Sequence, residues 1–176
     1  MADFKDSPHF ATHDDYYTPE SAWKRIESCI PKDKIIWEAC MLGATLSESP
    51  KYLTDLPTKK VVYSLCMDCL TEEPEEWDII ITNIPFHKTK KIPILKRFLE
   101  LDKPFIIIMN SMNTFTRYFH ELFKDKKEHL QVITPGSKIN FDKLEHGILT
   151  PTTNCSFYCV YVCYKVNLPR DKLWVT

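Results

Sequence analysis

The sequence predicts a doubly wound α/β domain, with a mostly parallel sheet and helices on both faces. Three observations predict it. Nearly continuous apolar runs recur, as in "KKVVYSLC", "WDIIITN" and "KPFIIIMN", which suits strands covered on both faces. Stretches with apolar residues at helical spacing lie between runs. Polar residues mark the loops that leave the strands, at Glu38, around Asp68 and at Asn83. In such sheets that edge is where ligands bind.

The elements follow in order. Residues 1–15 are polar and read as a flexible segment. Thr18 suits an N-cap and Pro19 the first helical position, opening a helix over "PESAWKRIESCI". Strands are expected at 35–38, 61–65, 78–82 and 104–109, with a short helix over "SPKYLTDL" after the first. "HKTKKIPILKRFLELD" predicts a helix starting near Pro93. "SMNTFTRYFHELFK" predicts another, with Met112, Phe115, Phe119, Leu122 and Phe123 at helical spacing. "LQVIT" is a fifth strand, "PGSKINFDKLEHGILTPTTN" is irregular, and "SFYCVYVCYKV" is a closing strand. The connection before that last strand has no helical pattern, so it is expected to run antiparallel. One domain over 16–168 and a tail over 169–176 account for the chain.

Composition narrows the function classes. The chain has 176 residues, 44% hydrophobic and 27% charged, which fits a globular domain with its own core. A formal net charge of -1 excludes a global basic field, so any polyanion must be held by local patches. No apolar run approaches the ~20 residues of a membrane span. The opening "MADFKDSPHFATHDDYY" is no secretory signal. An intracellular, cytoplasmic protein without membrane contact is expected. Seven cysteines, with Cys66 and Cys69 in a lone CxxC, read as reduced thiols, and no metal is expected. Cys155, Cys159 and Cys163 fall on one strand face and read as core.

The stretch "EEWDIIITNIPFHKTKK" carries the chemistry. Its strand ends in Asn83-Ile84-Pro85-Phe86. Taken alone, these are ordinary turn residues. Upstream stand Tyr17-Thr18-Pro19 before the first helix, Glu38 and Gly43 around the first loop, and Asp68 after the second strand. On these residues, over roughly 15–166, the chain resembles the class I S-adenosylmethionine-dependent methyltransferases. It is most similar to the adenine amino-group methyltransferases of phages and large DNA viruses. Their catalytic tetrapeptide is Asp/Asn/Ser-Pro-Pro-aromatic, and ribosomal RNA adenine dimethylases use Asn-Leu/Ile-Pro-Tyr/Phe, which Ile84 fits.

The resemblance implies a Rossmann-like fold with S-adenosylmethionine as cofactor, and methylation of adenine amino groups in DNA, or else RNA. For a viral protein it implies the host cytoplasm or the virion. Asn83 and the Ile84 carbonyl would accept the two N–H bonds of the amino group, Pro85 would stiffen the turn, and Phe86 would stack on the base. Tyr17, Thr18, Glu38, Gly43 and Asp68 would hold the cofactor. Lys88, Lys90 and Lys91, beyond the tetrapeptide, would take phosphates, with a solvated helix face as the plain alternative. The cofactor loop departs from the family pattern: Ala39 stands at the proline and Cys66 at an acidic position. A silent methyltransferase-like subunit and a glutamine-side-chain methyltransferase therefore remain alternatives. With no separate recognition domain, the target is expected to be single-stranded or reached through a partner subunit or a homodimer.

Overall fold

The computed structural model describes residues 16–40, 53, 60–63, 68–145, 148–152, 155–170 and 172–175. The expected helix over 49–56, Gly43, Cys66 and the segment 1–15 lie outside the described residues, apart from Leu53.

Among the described residues, seven strands form the central sheet. They are β2 (Ile35–Glu38), β3 (Lys60–Tyr63), β4 (Ile79–Asn83), β5 (Phe105–Asn110), β6 (Leu130–Pro135), β9 (Cys159–Tyr164) and β10 (Lys172–Val175). Their order across the sheet is β10-β6-β9-β5-β4-β2-β3. β3, β2, β4 and β5 pair in parallel, as do β6 and β10. β9 runs antiparallel between β5 and β6, as the closing strand was expected to. The sheet is therefore mixed and mostly parallel, the class the sequence predicts.

Alternate strand residues feed two cores, as the two-residue period requires. One face carries Ile36, Ile81, Ile106, Ile108, Tyr161, Cys159 and Cys163; Cys155, expected on the same strand, precedes β9 and packs into that core. Against it pack Ala22, Trp23 and Ile26, from α1 (Glu20–Lys24) and the residues after it. Tyr161 reaches across and donates its hydroxyl to the Ala22 carbonyl at 2.5 Å. The other face carries Trp37, Ile80, Phe105, Ile107 and Val162. Ile94, Leu95, Phe98 and Leu99 of α2 (Lys88–Leu101) cover it, with Phe119 and Phe123 of α3 (Arg117–Phe123).

Several elements differ from expectation. Helix α2 starts at Lys88, not near Pro93, which lies inside it and is exposed. A proline there deprives only the Thr89 carbonyl of a partner, and Thr89 is itself exposed. Pro19 is the N-cap of α1 and Thr18 is not; the helix turns into a 3-10 segment at Glu27–Cys29. The stretch 111–124 breaks into a 3-10 turn, Ser111–Phe115, and α3, with extended Thr116 between them. The break turns Met112 and Phe115 outward, 67% and 79% exposed. The segment read as irregular contains a hairpin, β7 (Asp142–Glu145) and β8 (Ile148–Pro151). With β1 (Tyr16–Tyr17) it makes a separate three-stranded sheet. Four residues of the predicted tail form β10, which extends the main sheet beside β6.

Candidate active site

Parallel strands end at a common edge, and here the strand order reverses at that edge. From β2 the chain goes to β3 on one side, then crosses to β4 on the other. The crevice between β2 and β4 is the switch point at which such sheets bind ligands. Glu38 is the last residue of β2 and Asn83 the last of β4. The two residues expected to carry the site thus stand at the same end of adjacent strands.

Glu38 is buried, with 9% of its surface exposed. The Thr82 hydroxyl donates to its Oε1, and that hydroxyl accepts from the Cys40 backbone N–H at 3.1 Å. Burial pushes the carboxyl up from 4.5 to about 8, against the lowering effect of Thr82 and the Cys40 backbone. Neither of these donors is cationic.

In the unfolded chain this group titrates near 4.5. Between the two values the native state holds a proton that the unfolded chain has lost. Stability therefore falls as pH rises from about 4.5 to about 8, by up to ~1.4 kcal/mol per pH unit. Thermal unfolding of Glu38→Gln and wild type across that window is expected to show a flatter profile for the variant. Parallel profiles would mean that the native carboxyl is already ionised at the acidic end of that window.

Asp68 lies on the same side of the crevice as β2's end. The Cys69 thiol shares a hydrogen bond with that of Cys40, which pushes Cys40 well above the usual thiol range, with burial and the Glu38 charge adding to it. Asp68 itself is exposed and closes its own turn: Oδ1 accepts from Leu70 N at 3.0 Å, and its carbonyl accepts from Thr71 and Glu72. Tyr17 ends β1, pairing with Asp142 of β7, and Thr18 follows, half-buried.

At the tetrapeptide the backbone remains in the ladder. Asn83 pairs with Ile108 of β5, and the Ile84 N–H donates to the Ile108 carbonyl at 3.4 Å. Ile84 is buried and Pro85 half-buried. The Asn83 Oδ1 is buried and has no hydrogen-bond partner among the described residues. Native structures rarely leave such an atom orphaned. The Phe86 ring is half-buried, 4.8 Å from the Phe157 ring and 5.7 Å from that of Phe141. This aromatic trio brings together three distant segments, and nothing local in the sequence signals it.

The lysines behave differently from one another. Lys88 and Lys90 are exposed on the first turn of α2. Lys91 is buried, and its Nζ donates to the Asn113 Oδ1 at 2.7 Å. Asn113 is the residue sequence reasoning missed. It also accepts from the Tyr118 hydroxyl at 2.6 Å and donates through Nδ2 to the Asn110 carbonyl at 2.7 Å. It thereby ties α2, the 3-10 turn and α3 together next to the tetrapeptide. The Lys91 ammonium, expected to take a phosphate, is thus engaged with Asn113 inside the fold.

No protein-family model and no curated protein matches the chain. Solved structures do. A class I S-adenosylmethionine-dependent methyltransferase from Listeria monocytogenes aligns with TM-score 0.54 and 12% identity, over 92% of this chain and 66% of that one. A dimethyladenosine transferase from Plasmodium falciparum aligns with TM-score 0.44 and 11% identity, over 85% and 61%. An S-adenosylmethionine-dependent O-methyltransferase from Thermotoga maritima aligns with TM-score 0.38 and 15% identity, over 82% and 64%. The chain spans less than two thirds of each. The first alignment shows the fold: this is a Rossmann-like sheet of the class I methyltransferase type. No helix among the described residues is long and apolar enough to cross a membrane.

Proposed function

We propose that the protein transfers a methyl group from S-adenosylmethionine to the exocyclic amino group of adenine in nucleic acid, DNA before RNA. The observation that carries this reading is the orphaned, buried Oδ1 of Asn83 at the switch point. A buried acceptor without a donor costs free energy, commonly about 1–3 kcal/mol. A substrate amino group at this place would supply the missing donor.

The residues fit the cofactor's chemistry. Glu38 presents a buried carboxyl whose described donors are both neutral, and a ligand ammonium at the crevice would draw it into the charged form. Tyr17, Thr18 and Asp68 complete the set of residues assigned to the cofactor, together with Gly43. S-adenosylmethionine brings an electrophilic methyl on a sulfonium, so the protein has mainly to position the acceptor.

The acceptor is difficult because the adenine lone pair is delocalised into the ring. Asn83 Oδ1 and the Ile84 carbonyl each accept one of its N–H bonds. That favours a pyramidal nitrogen with its lone pair directed along the transfer axis. Phe86 offers a ring edge for the base, held by Phe157 and Phe141. Lys88 and Lys90 flank the turn and take phosphates. No strong base is required, because methylation acidifies the nitrogen.

Calorimetry with S-adenosylmethionine, followed by methyl transfer to duplex DNA, single-stranded DNA and RNA, tests the reading. Binding at neutral pH is expected to release a proton from Glu38. The apparent enthalpy should then differ between phosphate and Tris buffers, whose ionisation heats differ. Absence of both binding and transfer would leave a silent methyltransferase-like subunit. Transfer confined to glutamine side chains of a protein would replace adenine as the target.

A further inference from the structure

The carboxyl edge of the sheet carries a second feature, beside the crevice. The Ser111 N–H donates to the Tyr158 carbonyl at 2.8 Å, which joins the turn after β5 to the residue before β9. Three large apolar side chains stand out there: Phe115 at 79%, Met112 at 67% and Tyr158 at 66% exposure. Among the described residues, only Leu70 joins them as a large exposed hydrophobic. The Lys138 ammonium lies 5.0 Å from the centroid of the Tyr158 ring.

Next to this patch is a cavity of about 340 Å³, lined by Lys88, Lys91, Asn113, Thr116, Arg117 and Tyr118. Its lining holds three cationic side chains and no carboxylate, in a chain whose net charge is -1. One wall is the start of α2, directly after the tetrapeptide. The other continues the 3-10 turn that bears Met112 and Phe115. The surface inside the cavity is mostly apolar, while exposed Lys88 and nearby Arg117 bring positive charge to its walls. Exposed aromatic rings beside cationic side chains are the two components with which proteins hold unpaired nucleic-acid strands.

We propose that Phe115, Tyr158 and Met112 form a stacking platform for the bases of an unpaired nucleic-acid strand, with its phosphates contacted by the side chains of Lys88 and Arg117 beside the cavity. The surface rests on the nucleic-acid reading of the site and deepens it, because it fixes the form of the substrate. The register explains its position. Asn83 faces Ile108 on β5, and the platform begins only a few residues further along that strand's exit. A strand lying across the platform passes the mouth of the crevice, where one base can enter beside Asn83. A duplex would first have to give up pairing and stacking of that base.

The test uses the full chain and labelled oligothymidylate and oligouridylate, which contain no adenine. Micromolar or tighter binding of either probe is expected, weaker for the matched duplex and falling as salt rises. Phe115→Ala and Tyr158→Ala are each expected to weaken binding by about 5- to 100-fold, the range for loss of one stacked base. Arg117→Glu should flatten the salt dependence by about 0.7 in log–log slope for each phosphate that the variant no longer neutralises. Circular dichroism and thermal melts confirm folding of the variants.

No binding of either probe overturns the proposal. So does equal affinity of wild type and the aromatic variants. A wild type that is dimeric by light scattering, made monomeric by Phe115→Ala with no change in probe affinity, assigns the patch to a second copy and overturns it too. Failure here and failure of the methyltransferase reading are distinguishable. Probe binding that depends on Phe115, without methyl transfer to adenine, retains the platform alone. Methyl transfer unaffected by Phe115→Ala and Tyr158→Ala retains the enzyme alone.

Discussion

Asn83→Ala is expected to lower methyl transfer to adenine by about 100- to 1000-fold, the scale seen when one preorganised polar group is removed from an active site. The reason is geometric. Asn83 ends β4 with its backbone paired to Ile108, so the side-chain amide is held by the sheet and not by a loop. Alanine keeps that backbone and removes the acceptor. Cofactor affinity should be unchanged, because the proposed function assigns Asn83 to the target base and not to the cofactor. Stability should be unchanged or higher, because the lost Oδ1 is a buried acceptor with no partner among the described residues. Loss of activity without loss of stability separates a functional residue from a structural one. Asn83→Asp keeps an acceptor oxygen and should retain part of the activity. Unchanged turnover in Asn83→Ala would place the chemistry elsewhere.

Phe105→Ala is expected to cost about 3–5 kcal/mol of folding stability, the usual range for truncating a buried aromatic. Phe105 opens β5 and is fully buried. Its ring lies 6.1 Å from Phe98 of α2, 6.5 Å from Phe123 of α3 and 5.2 Å from Tyr164 of β9. One side chain therefore joins α2 and α3 to the antiparallel strand beside β5. Domains of this size are commonly stable by only about 5–15 kcal/mol, so the change is a large fraction of the total. Urea unfolding with linear extrapolation measures it. Phe115→Ala serves as the control, since that ring is exposed and its truncation should stay within about 0.5 kcal/mol. Equal costs at the two positions would contradict this packing.

The same two phenylalanines show what could be read from the chain. Phe105 begins a run of apolar residues bounded by Pro104 and Asn110. Such a run is buried wherever its strand is placed, and the structure buries it. Phe115 follows helical spacing with Phe119 and Phe123, which predicts an inward ring. The chain breaks at extended Thr116, so the spacing no longer carries the face. The start of α2 fails similarly. Pro93 reads as a helix beginning, yet the helix tolerates it because the carbonyl it deprives of a partner belongs to an exposed residue, Thr89.

By itself the sequence determined the doubly wound class, the strands 35–38, 79–83 and 105–110 to within a residue or so, and the shared edge of Glu38 and Asn83. Those features follow from local rules: apolar runs form strands, and parallel strands must end on one side. Only the tertiary structure decided what depends on distant segments meeting. It took the fold to pair β1 with the hairpin at 142–151 and to add 172–175 beside β6. It took the fold to seat Phe86 against Phe141 and Phe157 and to place Asn113 under Lys91. The orphaned Asn83 oxygen and the raised Glu38 carboxyl belong to this second group as well. Burial and missing partners are properties of everything packed around a group, and no window of neighbouring residues contains them.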